Sequence, residues 1–451
     1  VAGHALDKRA MPLLLTLGLG VFAGALDLGV LSPALPALGE AFSVQTSDLA
    51  WVFTLYLLVT VASIAIASTL ADRYGRRPVY VGCVALFALG SLVAVLAPSF
   101  GIFLFARVLQ ALGAGGIFPV ATAAIGDVVP KERRGEALGL VAATWGLAAI
   151  IGPTFGGIVT HFISWRWIFV LNFPLAAIVI WRARRDVPDN APNTRGPFDV
   201  FGLSLLCVGL LALMDGLTTA RITTSILGLA VLTGFVFWQR KARNPILPLA
   251  TIGTPQLIKT YALELAIGML EGSLFFIPAV LVASQHLSYV AAGLVAALGA
   301  LMFVLVIPVS GRALDRIGSR NVLVAGAILT EIGLAMFALG FMSLMLTLLS
   351  MIVAGCGFGA LLGAPTRYIV TNETREQTRA TAVGLLSQAL IVGQILGGSL
   401  AGGVMSIEAN EILGYRYAYL AFCAVAVVAL ALAAGLKSRS EERTVPLEEA
   451  A

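Results

Sequence analysis

"STLADRYGRRPVY" (Ser68 to Tyr80) interrupts two long apolar runs with four charges in six positions, Asp72, Arg73, Arg76 and Arg77. The stretch has an echo, "SGRALDRIGSRNVLVAG" (Ser310 to Gly326), in which Asp72, Arg73 and Gly75 return as Asp315, Arg316 and Gly318, and Arg77 as Arg320. A second pair follows: "GDVVPKERRGEALGL" is answered by "TNETREQTRATAVGL", with Arg134 and Gly139 matched by Arg379 and Gly384. "IGPTFGG" and "LGGSLAGG" make a third. The first two pairs are offset by 243 to 245 residues. A steady offset is what a block of helices repeated in parallel produces.

The composition says what those helices lie in. Of 451 residues, 59% are hydrophobic and 12% charged, with mean hydropathy +0.95. A soluble domain carries about 25% charged residues, so the solvent for most of this chain is lipid. The net charge of +5 does not point to nucleic acid, because in a membrane protein the distribution of basic residues matters more than their sum. Cys83, Cys207, Cys356 and Cys423 lie far apart in apolar runs, and the three histidines do not cluster. No metal, cofactor or disulfide is expected. The first residues, "VAGHALDKRA", lead into an apolar run without a small-residue cleavage site, so no removable signal peptide is expected.

Roughly 17–25 apolar residues cross a bilayer as a helix. Fourteen runs meet that length or approach it: Met11–Pro33, Ala50–Ala71, Val79–Pro98, Gly101–Ile125, Glu136–Thr160, Ile163–Trp181, Val200–Leu217, Ile222–Trp238, Leu257–Ser284, Tyr289–Gly311, Asn321–Phe341, Ser343–Ile369, Arg379–Met405 and Tyr415–Leu436. Alternate loops collect almost all the Lys and Arg, and the other side holds only Arg166, Arg221 and Arg416. The imbalance places both termini in the cytoplasm and requires an even number of spans. Six helices with their loops need about 190 residues, and the excess matches Gly196 to Asn244 with two short helices. The expected fold is all-α and membrane-embedded. A six-helix half covers residues 1–185, a linker and two inserted helices 186–250, a second six-helix half 251–440, and a tail 441–451.

Parallel halves of six helices, with a site between them at the midplane, are the build of a secondary transporter. The chain here resembles the major facilitator superfamily, and within it the fourteen-helix drug:proton antiporters. "LADRYGRRP" resembles that superfamily's signature between helices two and three, with Ser68 where Gly is usual. "RVLQALGAGG" on helix four matches at Arg107 and Gln110, with Ala111 replacing Gly. "GLAAIIGPTFGG" resembles the antiporter signature of exporters. "ALDLGVLSPALPAL" and "WRWIFVLNFP" resemble the fourteen-helix branch.

Each motif has a physical reading. Gly75 permits a positive φ and so a very short reversal. The resemblance implies that Asp72, Arg73, Gly75 and Arg76, with Asp315, Arg316, Arg134 and Arg379, form a cytoplasmic gate that latches the halves. The plainer reading of a basic loop is that it sets topology, which leaves Asp72 and its second copy unexplained. Pro153 removes a backbone donor, while Gly152, Gly156 and Gly157 allow close backbone approach. They suggest a bent fifth helix packed on helix ten as seal and hinge.

Charges at membrane depth cost at least about 2.5–3.5 kcal/mol if uncompensated. They are Asp27, Arg107, Glu264, Glu271 and Glu331. The repeat places Asp27 and Glu271 at matching positions, so both are expected to face a central cavity, with Asp27 the main coupling site and Arg107 its counter-charge. The alternative for Arg107 is a brace of helix four. Glu264 lies seven residues before Glu271 on the same face, about 10 Å along the axis, which suggests a proton path. Glu331 fits no role. Tyr56, Gln110, Trp145, Phe275, Phe276, Gln388 and Gln394 are candidates for the cavity wall.

The expected function is proton-driven export of hydrophobic or amphipathic, cationic drug-like compounds across a bacterial inner membrane, by a monomer. Its partners are the substrate, protons and membrane lipid, with no nucleic acid. A lipid or glycolipid exporter of the same fold is the first alternative, and a non-transporting sensor or scaffold the second. No phosphate-binding Gly-rich loop is present for an ATP-driven pump, and nothing suggests an enzyme.

Overall fold

The computed structural model describes residues 10–45, 48–129, 134–188, 199–242, 245–246, 253–340, 343–374, 376–408 and 410–442. Fourteen helical segments in it are long and apolar enough to cross a membrane: Met11–Phe42, Ala50–Tyr74, Arg76–Leu96, Phe100–Val128, Ala143–Phe162, Arg166–Asp186, Val200–Thr218, Ile222–Gln239, Pro255–Gln285, Tyr289–Ile317, Ser319–Gly340, Leu344–Glu373, Ala382–Ile407 and Glu411–Ala434. They are called here the first to fourteenth spans. An even number brings the start of the first span and the end of the fourteenth to one side, together with Arg76, Arg184, Arg240 and Arg316. That side is the basic end, and the opposite one the far end.

Local chemistry sets many of the ends. The Ser99, Thr254 and Ser288 hydroxyls accept from backbone N–H groups three residues on, capping the fourth, ninth and tenth spans. Asn410 does the same for the fourteenth. Three spans contain 3-10 turns or short breaks, and the first runs on past its expected end at Pro33 to Phe42. The first passes through Ser32–Ala34 into Leu35–Phe42, the ninth through Ser273–Phe276 into Ile277–Gln285. The twelfth breaks after Leu361 and resumes at Pro365. Proline at a first helical position forfeits no intrahelical bond, and Pro365 begins such a segment.

The two halves repeat the same packing. In the first half the first span packs on the fifth, and in the second the ninth packs on the thirteenth. Both contacts depend on missing side chains: a Cβ on Gly156 would overlap the Val30 carbonyl, and one on Gly393 the Leu265 carbonyl. Across the halves, the second span meets the thirteenth and the fifth meets the tenth. The inserted pair, the seventh and eighth spans, forms a hairpin. Its seventh span packs on both the thirteenth and the second, and so lies over one seam between the halves. The hairpin turns at the far end, through residues 219–221, and its two open ends are tied at the basic end, where the Asp199 carboxylate accepts from the Trp238 indole at 2.9 Å and the Gln239 amide at 2.7 Å.

Candidate functional site

The polar centre of the first half is built on five spans. Arg107 Nη1 donates to Asp27 Oδ2 at 2.5 Å and to Gln110 Oε1 at 2.8 Å. Gln110 Nε2 donates to Asp27 Oδ1 at 3.1 Å and Ser91 Oγ at 2.9 Å. Asn172 Nδ2 donates to the same two acceptors at 3.3 and 3.0 Å. Arg107 Nε reaches the Val52 carbonyl, and the guanidinium lies 4.2 Å from the Tyr56 ring centroid. Asp27 is 1% exposed and Arg107 fully buried.

This corrects the expectation that Asp27 faces a central cavity. Its carboxylate is turned into the first half, toward Ser91 of the third span and Asn172 of the sixth. Three candidates for the cavity wall are buried for related reasons. The Gln110 amide is taken up by Asp27 and Ser91, the Tyr56 ring lies under the guanidinium, and Phe276 packs in the core. Ser91 and Asn172 were not singled out from the sequence, although Asn172 is a lone amide inside "WRWIFVLNFP" and an isolated polar group in such a run needs a partner.

Glu271, at the matching position of the second half, has a different setting. It is half-buried, and its Oε2 accepts from Gln394 Nε2 at 2.8 Å. Glu264, seven residues nearer the basic end, is 5% exposed, and its Oε2 has no hydrogen-bond partner. Thr366 and Arg367, on the short helix after the break in the twelfth span, are its polar neighbours from outside the ninth span. Among the described residues neither acid carries a salt bridge. Gln388 is half-buried, and Trp145, 46% exposed, is the most open of the seven wall candidates. Glu331 is half-buried on the eleventh span beside Cys423 of the fourteenth, and its Oε2 is unpartnered.

Contacts between the halves gather toward the far end. Ser32 Oγ donates to the Phe275 carbonyl at 2.6 Å, and the Phe53 and Phe275 rings stack 4.5 Å apart. On the fifth and tenth spans, a Cβ on Gly157 would overlap the Tyr289 carbonyl, and one on Gly293 the Pro153 carbonyl. Gly152 instead meets Gly29 within the first half. The far end is therefore closed.

At the basic end, Gly75 and Gly318 have φ of 95° and 85°, with ψ of 158° and 164°, a region nearly reserved for glycine. Asp72 pairs with Arg76 at 2.5 Å, and Arg76 with Asp127 at 3.1 Å. Both pairs stay within the first half, whereas the expected latch joins the two halves. Arg73 lies against Tyr74. The second copy of the loop is held by the short helix Arg439–Glu442 that follows the fourteenth span, with Arg439 donating to the Asp315 and Arg316 carbonyls. The side chains of Arg134 and Arg379 lie outside the described residues.

The sequence profile of the Major Facilitator Superfamily matches residues 17–276 and 260–451. The chain is 32% identical to an uncharacterized MFS-type transporter, YfiU, of Bacillus subtilis, over 87% of this chain and 79% of that one. It is 28% identical to the multidrug resistance protein Stp of Mycobacterium tuberculosis, over 89% and 77%. Among solved structures it superposes on a bacterial homologue of the lysosomal transporter Spinster, inward-facing and unoccupied, with TM-score 0.70, 17% identity, and 97% and 98% of the two chains covered. A D-xylose–proton symporter gives 0.71 at 14% identity, with 97% and 100% covered. Two halves of six spans, a profile matched across both, and relatives that are transporters along most of their length make this chain a membrane transporter of the Major Facilitator Superfamily.

Proposed function

We propose that the protein exports amphipathic, cationic drug-like compounds from the cytoplasm of a bacterium in exchange for protons, by alternating access. The observation that carries this reading is the pair of acids on the ninth span: Glu264 is buried, Glu271 is half-buried, and neither carries a salt bridge among the described residues. An acid of this kind is open either to a proton or to a cation, and one that holds only one at a time couples the two flows. The multidrug resistance name of one relative supports the same direction of transport. With the arginine-rich loops in the cytoplasm, the basic end is the side from which substrate enters. The Asp27–Arg107 network braces the first half, and the gate loops hold the basic ends together when the protein opens outward.

Energetically, one pH unit supplies about 1.4 kcal/mol per proton, and each net charge moved gains about 2.3 kcal/mol per 100 mV. The test is export from proteoliposomes under an imposed pH gradient, with cationic dyes, neutral drugs and fluorescent lipids as substrates. Dye accumulation that collapses with the gradient is the expected result. Movement of lipid without dye would favour the lipid exporter, although the inserted hairpin covers one of the two seams through which lipid would enter.

A further inference from the structure

The three membrane acids differ in what a proton would cost. Asp27 accepts from Arg107, Gln110 and Asn172, and those donors are themselves fixed by Ser91 and the Val52 carbonyl. Protonating it breaks an ion pair sealed from water on both sides. Glu271 touches the Gln394 amide, which serves either form of the acid by turning over. Glu264 has one buried oxygen that accepts nothing, beside a hydroxyl that both donates and accepts. That hydroxyl, on Thr366, follows the break in the twelfth span, on a nine-residue helix, Pro365–Glu373. The short helix is tied at its other end by Glu373, which pairs with Lys437 at 2.5 Å and accepts from Thr254 at 3.4 Å. Among the described residues, the charged groups acting on Glu264 are Arg367 from the same short helix and Glu271 from its own.

Resting on the export reading above, we infer that Glu264 is the group that gives up the proton when a cationic substrate binds, that Thr366 is its positioning contact toward the basic end, and that Asp27 stays charged throughout the cycle. In the far-closed state Glu264 holds a proton. A cation entering between the halves draws the O–H bond apart. The electron pair stays on the carboxylate, the proton passes toward the Thr366 hydroxyl and on to water at the basic end, and the carboxylate faces the cation. After the protein opens outward, a proton from the far side returns to the ninth span and the cation leaves. The first half thus keeps a fixed charge at Asp27, while in the second half exchange falls to Glu264, one step of seven residues from Glu271 at the matching position.

The experiment adds tetraphenylphosphonium to the purified full chain in detergent, in weak buffer with a pH indicator, and follows binding by tryptophan quenching. Wild type is expected to release protons on binding. Glu264→Gln should still bind with release reduced to the buffer blank, and Glu264→Asp, which keeps an acid, should retain release. Thr366→Val should release the full amount more slowly, with Thr366→Ser restoring the rate. The neutralising double variant Asp27→Asn with Arg107→Met should still release. Release by Glu264→Gln at the wild-type level overturns the assignment, as does release lost in Glu271→Gln or in the double variant while binding persists. If wild type drives accumulation in proteoliposomes and Glu264→Gln behaves like it, only the assignment fails. If wild type neither releases protons nor responds to a gradient, the antiport reading falls with it.

Discussion

Asp27→Asn, Arg107→Met and the two together form a double-mutant cycle on the ion pair that organises the first half. The pair is fully buried at 2.5 Å, and its guanidinium already has one nitrogen, Nη2, without a hydrogen-bond partner. Asp27→Asn removes the charge that compensates this cation and leaves it with Gln110, the Val52 carbonyl and the Tyr56 face. Arg107→Met leaves Asp27 with two amide donors and no cation. Breaking a buried pair by removing one partner costs about 3–5 kcal/mol, while replacing both by groups of similar size is close to neutral. Independent effects would therefore sum to about 6–10 kcal/mol in the double variant, whereas a coupled pair keeps it at or below either single, for a coupling of at least about 3 kcal/mol. The assay is equilibrium unfolding in mixed micelles of increasing SDS content, read by circular dichroism. Additive losses, with coupling below about 0.5 kcal/mol, would refute the argument that this pair is a single structural unit.

Reporter fusions after Arg184 and after Arg243 should both report cytoplasm, since both end basic segments flanking the inserted hairpin; a far-side signal at Arg243 breaks the fourteen-span topology. Asp72→Asn should lower export at unchanged protein level, and export at the wild-type rate would return that loop to a purely topological role. Gly157→Ala forces a methyl against the Tyr289 carbonyl, so the far end should open more often. A Ser32→Cys probe should then label faster from outside with an impermeant maleimide, and an unchanged rate counts against that seal. At Asp199, partial burial works against the charge, but donors from Gly202, Trp238 and Gln239 outweigh it and hold the carboxyl below its usual range. Because the folded value is the lower one, this contact is fully present above about pH 4 and is lost as pH falls through the folded value. Trp238 fluorescence, with the other tryptophans replaced, should stay constant from pH 8 to 5, and a transition within that window would sink the idea.

Sequence alone determined the number of spans, their pairing into repeated halves and the inserted hairpin. Bilayer thickness sets a minimum run length, and every backbone group in lipid must be satisfied within its own helix. Gly75 and Gly318 were legible for a similar reason, as a reversal this short demands a φ that side chains resist. The ninth and twelfth spans were read at nearly full length, because a 3-10 turn or a proline-started segment does not interrupt hydropathy, whereas the continuation of the first span beyond Pro33 to Phe42 was not. Only the tertiary structure decided what the acids do. Asp27 and Glu271 occupy one register of the repeat, yet the first meets an arginine from the fourth span and the second a glutamine from the thirteenth. Glu264 gains its hydroxyl neighbour from a helix about a hundred residues away. Periodicity places a residue on a face of its own helix. Which helix that face meets depends on how the spans pack across the bundle, and it is that neighbour, through its charge and hydrogen bonds, that makes one carboxylate a fixed anion and leaves another open to a proton.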